Sequence, residues 1–145
     1  MLKKGEAAFF IRYTDRYEDN LIECHKKIER HYGYCWYGKI GRSPSVKRLE
    51  ELIHGGNAKV FFYKKGSLYI ADLLDISTEM PQDGYADFYN SLIRLPSLWM
   101  KICHIKRANE GVLSMLKISA SGNVMSDVIN KSMTSFYFVE MMADI

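Results

Sequence analysis

The sequence predicts one α+β domain over residues 1–145, with a mixed or antiparallel sheet that curls into a small β-barrel beside two to three helices. Three observations support this fold class. Short aromatic and apolar runs typical of strands alternate with two segments of helical periodicity. Two neighbouring strand-like runs are joined by a turn-forming tripeptide. No internal repeat or low-complexity linker divides the chain, so we expect a single domain.

The first half of the chain predicts two strands and two helices. The apolar run 7–13 is typical of a buried strand, and residues 17–32 place apolar side chains three or four positions apart, as on one helix face. Residues 34–40 alternate and are rich in aromatic side chains, which favours a second strand. Ser43 or Ser45 then supplies a cap for the second helix.

The second half predicts a hairpin, a long surface loop, further strands and a short helix. Lys64-Lys65-Gly66 separates two β-rich runs, and such a spacing favours antiparallel pairing. Polar residues with a proline and a glycine then indicate a loop over the surface. The segments are 58–63 and 67–76 for the hairpin, 77–90 for the loop, 99–105 and 135–141 for strands, and 124–131 for the helix.

Charge is distributed unevenly along the chain. Residues 1–70 contain 14 Lys and Arg against 8 Asp and Glu, whereas residues 71–145 contain 6 against 9. A basic half is typical of a protein that offers one face to an anionic partner.

Composition and apolar run lengths indicate a protein of the cytoplasm. The longest apolar runs are far shorter than the roughly 20 residues that a membrane span requires, so we expect no membrane association. The start of the chain lacks the pattern of a secretory signal peptide. The three cysteines are scattered and form no Cys-x-x-Cys pair, which favours reduced, buried thiols over a disulfide framework.

Several short motifs occur in the order found in EVE domains. The chain has a Trp-x-Gly step, an apolar-aromatic-Tyr strand before a hairpin, a small residue followed by an acid, and a Pro-x-x-Trp pattern after the long loop. These are Trp36-Tyr37-Gly38, Val60-Phe61-Phe62-Tyr63, Ala71-Asp72 and Pro96-Ser97-Leu98-Trp99. The closing stretch, from Ile118-Ser119-Ala120-Ser121-Gly122 to Phe136-Tyr137-Phe138-Val139, is also similar. The chain therefore resembles an EVE domain of the PUA-like superfamily, related to YTH and ASCH domains.

This resemblance implies a reader of modified bases, of the kind found as specificity domains in modification-dependent restriction or defence systems. It implies nucleic acid as the partner, with DNA favoured over RNA, and a larger effector subunit or C-terminal domain beside it. Two features depart from the family pattern. The aromatic residue near the start of the first strand is represented only by Phe9 or Phe10, and the basic-polar run after Trp-x-Gly is shortened to residues 39–43.

Physical chemistry suggests which residues would serve such a reader. An extruded base is held between aromatic faces, and basic side chains contact the phosphates. Trp36 and Trp99 are the preferred walls, although an aromatic residue in a strand is more often part of the core. The predicted base pocket comprises Trp36, Gly38, Tyr63, Tyr85, Tyr89 and Trp99, and Gly38 and Gly41 would allow close backbone approach. The predicted phosphate contacts are Lys39, Arg42, Lys47 and Arg48.

Catalytic and metal sites are not predicted, and no cofactor is expected. Cys24-His25 and Cys103-His104 are adjacent pairs, and neighbouring side chains on a regular helix or strand point apart. The four histidines show no metal-ligand spacing with Cys or carboxylate partners. We therefore expect a binding module and not an enzyme.

Two other functions remain open at this level. An ASCH-like hydrolase acting on a nucleoside amide would need a nucleophile facing an acid, for example Lys39 or Lys101 with Asp72. A regulatory interaction domain that does not bind nucleic acid is the other. The sequence leaves open whether this is the front module of a longer protein, which base modification is read, and the oligomeric state.

Overall fold

The computed structural model describes residues 2–145, and these contain seven strands in one sheet, three α-helices and two 3₁₀ helices. The strands are β1 (Ala7–Arg12), β2 (Cys35–Lys39), β3 (Lys59–Lys64), β4 (Ser67–Ser77), β5 (Leu98–Arg107), β6 (Leu116–Ile118) and β7 (Phe136–Met141). The α-helices are α1 (Leu21–Tyr32), α2 (Val46–His54) and α3 (Met125–Val128), and the 3₁₀ helices are Asp87–Ser91 and Glu110–Met115.

The sheet is mixed, with strand order β2-β5-β4-β3-β1-β7-β6. The β1–β3 pair is parallel and the other neighbouring pairs are antiparallel. The predicted hairpin is confirmed, since β3 and β4 pair antiparallel with Val60 opposite Ala71. The α+β class and the mixed sheet are therefore as predicted.

The predicted barrel is wrong, because the sheet is open and has β2 and β6 as its two edges. The central strands bury both of their faces, as alternating side chains of β1 show. Phe9 and Ile11 enter one core layer, whereas Ala8 and Phe10 enter the other. A sheet covered on both faces by other elements has no need to close on itself to bury its apolar surface.

Helices cover the sheet on both sides. On the first face, α1 and α2 contribute buried Leu21, Ile22 and Leu49 to the core. On the second face, α3 and the 3₁₀ helix Glu110–Met115 contribute Met125 and Leu113.

Local signals explain where the two longer helices begin. The Ser45 hydroxyl accepts a hydrogen bond from the Arg48 amide at 3.2 Å, which makes Ser45 the cap of α2. Helix α1 begins at Leu21 and not at the predicted residue 17. Asn20 adopts a left-handed conformation there, and the Leu21 amide donates to Asp15, so the preceding residues form a turn.

Both edges of the sheet are contacted by other parts of the chain. At β2, the amide of Trp36 donates to the Gly84 carbonyl at 2.7 Å, and the amide of Gly38 donates to Tyr89 Oη at 2.9 Å. At β6, Lys117 forms an isolated bridge with Val124.

The lengths of the apolar runs predicted no membrane-spanning helix, and the spacing of the cysteines predicted reduced, buried thiols. Among residues 2–145, none of the helices combines the length and the apolar character needed to cross a bilayer. Cys24, Cys35 and Cys103 are free thiols; Cys35 and Cys103 are buried and Cys24 is partly buried.

Candidate functional site

A cleft of about 280 Å³ opens where the end of β1, the start of α1 and the end of β2 meet the 3₁₀ helix Asp87–Ser91. Its lining is aromatic and basic, and within residues 2–145 no aspartate or glutamate contributes to it. The aromatic lining residues are Tyr13, Tyr17, Tyr37, Phe88 and Tyr89, and the cationic ones are Arg12, Arg16 and Lys39. We call this the aromatic cleft.

Lys39 brings a buried cation to the aromatic cleft. Its side chain lies at the end of β2 and only 5% of the residue is exposed. Nζ donates to the Ile40 carbonyl at 2.7 Å and lies 5.6 Å from the centre of the Phe136 ring, and among the described residues no carboxylate forms an ion pair with it. Burial, with a smaller effect from Arg42, lowers the pKa of Lys39. An ammonium group has three protons to donate, so the site can accept a further anionic or carbonyl oxygen.

The two arginines of the cleft are held differently. Arg12 lies at the end of β1, and its guanidinium donates to the carbonyls of Ile129 and Ser132, which fixes that side chain in place. Arg16 is exposed, and its guanidinium lies 5.5 Å from the centre of the Tyr17 ring. Arg16 is therefore the arginine more available to a phosphate at the rim.

A buried hydrogen-bond chain holds Tyr89 in the cleft. His25 Nδ1 lies 2.7 Å from the Leu21 carbonyl and must donate to it, so the neutral ring presents Nε2 as an acceptor. The Tyr89 hydroxyl, 2.7 Å from Nε2, donates there and accepts from the Gly38 amide. Burial lowers the pKa of His25 to about 4 and raises that of Tyr89, so both groups are uncharged near neutral pH.

Gly38 is close-packed, but by the protein's own loop. A Cβ atom at this position would lie 2.9 Å from Tyr89 Cε1 and still closer to Pro96 Cγ. The neighbours that approach the Gly38 backbone closely are thus Pro96 and Tyr89, where the sequence predicted a ligand. Gly41 has a φ of +88° and lines the aromatic cleft.

The predicted phosphate contacts form a basic strip that continues from the cleft. Arg42 lies 4.5 Å from the centre of the Phe136 ring, the same ring that Lys39 approaches. Arg48 stacks 3.9 Å from the centre of the Phe138 ring, and Lys47 is exposed beside it on α2. The structure thus brings together Lys39, Arg42 and Arg48 along β7.

A second groove of about 510 Å³ shares Tyr17, Ile40 and Gly41 with the aromatic cleft. Its other side is formed by residues 91–94, which belong to the long loop of residues 78–97 between β4 and β5. Ile93 is fully exposed at this loop, and Leu95 is more than half exposed. We call the side chains of Leu92, Ile93 and Leu95 the apolar tip; the exposed Arg94 lies between them in the sequence.

The two tryptophans favoured as pocket walls lie outside the lining of the aromatic cleft. Trp99 is 1% exposed, and it packs edge to face against Tyr85 and Tyr89 under the long loop. Trp36 is partly buried against the same cluster. Tyr63 is buried in the core layer on the other face of the sheet. Of the six predicted pocket residues, the structure places Gly38 and Tyr89 in the cleft.

Sequence reasoning missed most of the aromatic lining. Two Arg-Tyr pairs, Arg12-Tyr13 and Arg16-Tyr17, occur four residues apart and both line the cleft. Aromatic residues interleaved with basic ones are typical of single-stranded nucleic-acid binding, so this repeated pair was a usable signal.

A second polar cluster contradicts the expectation that Cys103 and His104 point apart. His104 Nδ1 lies 3.5 Å from Cys103 Sγ and 2.6 Å from Asp72 Oδ2. The expectation assumed a regular strand, whereas the register of β4 and β5 shifts here and His104 has a φ of +54°. The three side chains therefore meet at one point.

An amide hydrolase would need Asp72 beside Lys39 or Lys101, but each of these three residues makes other contacts. Asp72 forms an ion pair with Lys59 and a hydrogen bond with His104. The Lys101 ammonium lies 4.3 Å from the centre of the Tyr34 ring, and Lys39 lines the aromatic cleft, which Asp72 does not.

No protein-family model matches the chain, and no curated protein or solved structure matches it either. Function is therefore inferred from the chemistry of the two sites.

Proposed function

We propose that this chain is a nucleic-acid-binding module of the PUA-like, EVE-domain kind, which holds one unstacked base in the aromatic cleft. The observation that carries the proposal is the buried Lys39 ammonium in a cleft that, over residues 2–145, has five aromatic lining residues and no acidic one. Aromatic faces bind bases of any sequence by stacking, and an uncompensated cation favours the polyanion that carries them.

The size of the cleft suits one ring system. Its volume of about 280 Å³ lies near the lower end of the about 300–1,000 Å³ found for small-molecule sites. A single base would fit, and the strand on either side would remain outside.

The residues of the cleft would contribute in different ways. Only 1% of Tyr89 is exposed, and its hydroxyl already donates to His25 and accepts from Gly38, so Tyr89 shapes the floor of the cleft and offers no new hydrogen bond. The exposed ring of Tyr17 is free to stack at the rim. Lys39 would donate a hydrogen bond to an oxygen on the base edge or on the adjacent phosphate.

The strand outside the cleft would follow the basic strip. Arg16 at the rim and Arg42 and Arg48 beside β7 present guanidinium groups, which match phosphate geometry well. Reading of a modified base, preference for DNA and attachment to a restriction or defence effector come into the proposal from the sequence resemblance.

Replacement of Tyr17 tests whether this ring stacks on a base, and Tyr32 provides a matched control. Tyr17 is 43% exposed in the cleft, and Tyr32 is 41% exposed at the other end of α1. Tyr17→Ala is expected to weaken binding of single-stranded oligonucleotides by about 1–3 kcal/mol, the value for one stacked base. Tyr32→Ala is expected to bind like the parent protein. Fluorescence polarisation with plain, methylated and hydroxymethylated oligonucleotides measures both.

Lys39→Met provides a second, independent variant. It removes the buried charge while keeping a side chain of similar length, so the variant should fold at least as stably as the parent. Its affinity for oligonucleotides is expected to fall by at least tenfold. Parental affinity in both Tyr17→Ala and Lys39→Met, with unchanged thermal melts, would rule out the aromatic cleft as the base site.

A further inference from the structure

The cluster of Asp72, Cys103 and His104 brings three kinds of metal-ligating atom together. Asp72 Oδ2, Cys103 Sγ and His104 Nδ1 all lie within 4.8 Å of one another. The individual distances are 2.6 Å from Nδ1 to Oδ2, 3.5 Å from Sγ to Nδ1 and 4.0 Å from Sγ to Oδ2. Ligand atoms around a tetrahedral Zn²⁺ are about 3.3–3.6 Å apart, given Zn–S and Zn–N bonds of about 2.3 and 2.0 Å.

A strained backbone produces this arrangement. His104 has a φ of +54°, which is unfavourable for a residue other than glycine, and it lies at a bulge of β5. The bulge changes the side-chain parity, so Ile102 and Ile105 both enter the same core layer although they are three residues apart. Strain of this kind persists where the surrounding structure enforces it, and it concentrates at functional sites.

Neighbouring groups hold the bulge and orient the carboxylate. The Glu29 carboxylate of α1 accepts from the amides of both His104 and Ile105, at 3.0 and 3.1 Å. Lys59 donates to Asp72 Oδ1, which leaves Oδ2 directed at His104 and Cys103. Partners behind the ligands that fix their orientation are a regular property of protein metal sites.

We propose that Asp72 Oδ2, Cys103 Sγ and His104 Nδ1 bind one divalent transition-metal ion, with Zn²⁺ as the ion that this ligand set favours. Thiolate and imidazole ligands together suit Zn²⁺ and Co²⁺ and disfavour Mg²⁺ and Ca²⁺. When the metal binds, the distance between Nδ1 and Oδ2 must increase from 2.6 Å to about 3.3 Å, which is a change of less than about 1 Å. The mostly exposed His104 side chain has room for that movement.

The fourth coordination position would face a cavity of about 540 Å³. Asp72 and His104 line this cavity, together with the basic residues Lys59, Lys106 and Arg107. Three protein ligands with one open position are typical of zinc sites that bind a water or an exogenous ligand. The basic lining suits a water or a small anion there. This site does not depend on the proposed base-binding function, since the two cavities share no lining residue in the described part of the chain.

Cobalt substitution tests the site directly. Full-length protein, freed of metal with a chelator and kept reduced, is titrated with Co²⁺. We expect one equivalent to produce visible d–d absorption and a thiolate-to-cobalt charge-transfer band in the near ultraviolet, both removed by added Zn²⁺. Cys103→Ser should lose the charge-transfer band, and the matched variant Cys24→Ser should keep it.

His104→Gly provides a variant that should fold well, because glycine adopts a positive φ without strain. Its affinity for Zn²⁺ should fall by more than the about 10–100-fold cost of losing an outer partner of a metal site. The melting temperature of the parent should rise by about 10 °C at free Zn²⁺ 100-fold above Kd, and that of His104→Gly should not rise. Absence of cobalt bands in the parent, or equal zinc affinity in His104→Gly, would overturn the proposal.

Discussion

His25 fixes the floor of the aromatic cleft, although it does not line the cleft itself. Its ring accepts from the Tyr89 hydroxyl and donates to the Leu21 carbonyl, and this geometry is possible only for the neutral ring. A protonated ring would carry a buried charge and would turn Nε2 into a donor. The shape of the cleft is therefore tied to the protonation of one buried histidine.

Acid should destabilise the protein through His25. The pKa of His25 is about 4 in the fold against 6.5 as its ordinary value, so between these pH values the unfolded chain binds more protons. Stability is therefore lost as pH falls from 6.5 towards 4, by about 2 kcal/mol between pH 7 and pH 5. His25→Gln should remove most of this slope in urea denaturation, and a substitution of the exposed His54 should leave it. A full slope in His25→Gln would assign the acid sensitivity to other groups.

Some of these residue roles could be predicted from the sequence and others could not. The Lys39 and Arg42 cations follow from their positions at the end of the second strand and in the turn after it, and Tyr89 follows from the aromatic loop. Burial of Trp99 could not be predicted, because it depends on how residues 78–97 fold back. The meeting of Cys103 and His104 depends on a bulge that no local turn residue announces.

The long loop, residues 78–97, joins β4 to β5 and lines both the aromatic cleft and the second groove. It covers Trp99, contributes Phe88 and Tyr89 to the aromatic cleft, and ends in the apolar tip beside the second groove. If the cleft holds a base as proposed, the exposed Ile93 beside it is suited to fill the gap that an extruded base leaves in a duplex. The loop would then act on duplex DNA in a way that a single strand does not require.

Replacement of Ile93 tests whether the loop contributes to binding of duplex DNA but not of a single strand. Ile93 is fully exposed, so Ile93→Ala should leave the melting temperature unchanged. We expect it to weaken binding to duplexes by about 1–3 kcal/mol, comparable to the cost of unstacking a base step, and to leave single-strand affinity within twofold. Met133→Ala, at another exposed apolar side chain, is the control. Equal losses on both substrates would show that the apolar tip contributes general contact and not a wedge.

At the scale of the whole molecule, basic residues from the first half of the sequence lie together on one surface beside the aromatic cleft. Arg42 and Arg48 come from different elements of the first half, yet both stack on aromatic residues of β7. This stacking holds the guanidinium groups in place beside the cleft, so little side-chain entropy would be lost in the proposed binding of phosphate.

Salt dependence measures how many of these cations meet phosphates. Each phosphate contact on duplex DNA adds about 0.9 to the slope of log K against log salt concentration. The double variant Arg42→Gln, Arg48→Gln should therefore bind all sequences more weakly and show a slope smaller by about 2. A double variant of Lys26 and Arg30, which are near Glu23 on α1, should retain the parental slope. An unchanged slope in the first double variant would place the phosphates elsewhere.

The fold was predictable up to the level of pairing between neighbours. Strand and helix segments follow from periodicity, and the β3–β4 hairpin follows from its turn. The parallel β1–β3 pair and the open sheet were not predictable, because they depend on contacts between distant segments. The unbroken apolar run of β1, with Phe9, Phe10 and Ile11 fully buried, was the available signal of a strand covered on both faces.

The contacts at the two edges of the sheet bear on how the protein behaves at high concentration. An open sheet presents unpaired amides at its edges, and these can recruit strands from other molecules into aggregates. At β2 the amides of Trp36 and Gly38 are occupied by Gly84 and Tyr89, and at β6 the Val124 bridge occupies Lys117. The loop that shapes the cleft thus also shields β2 from strand-by-strand association between copies of the chain.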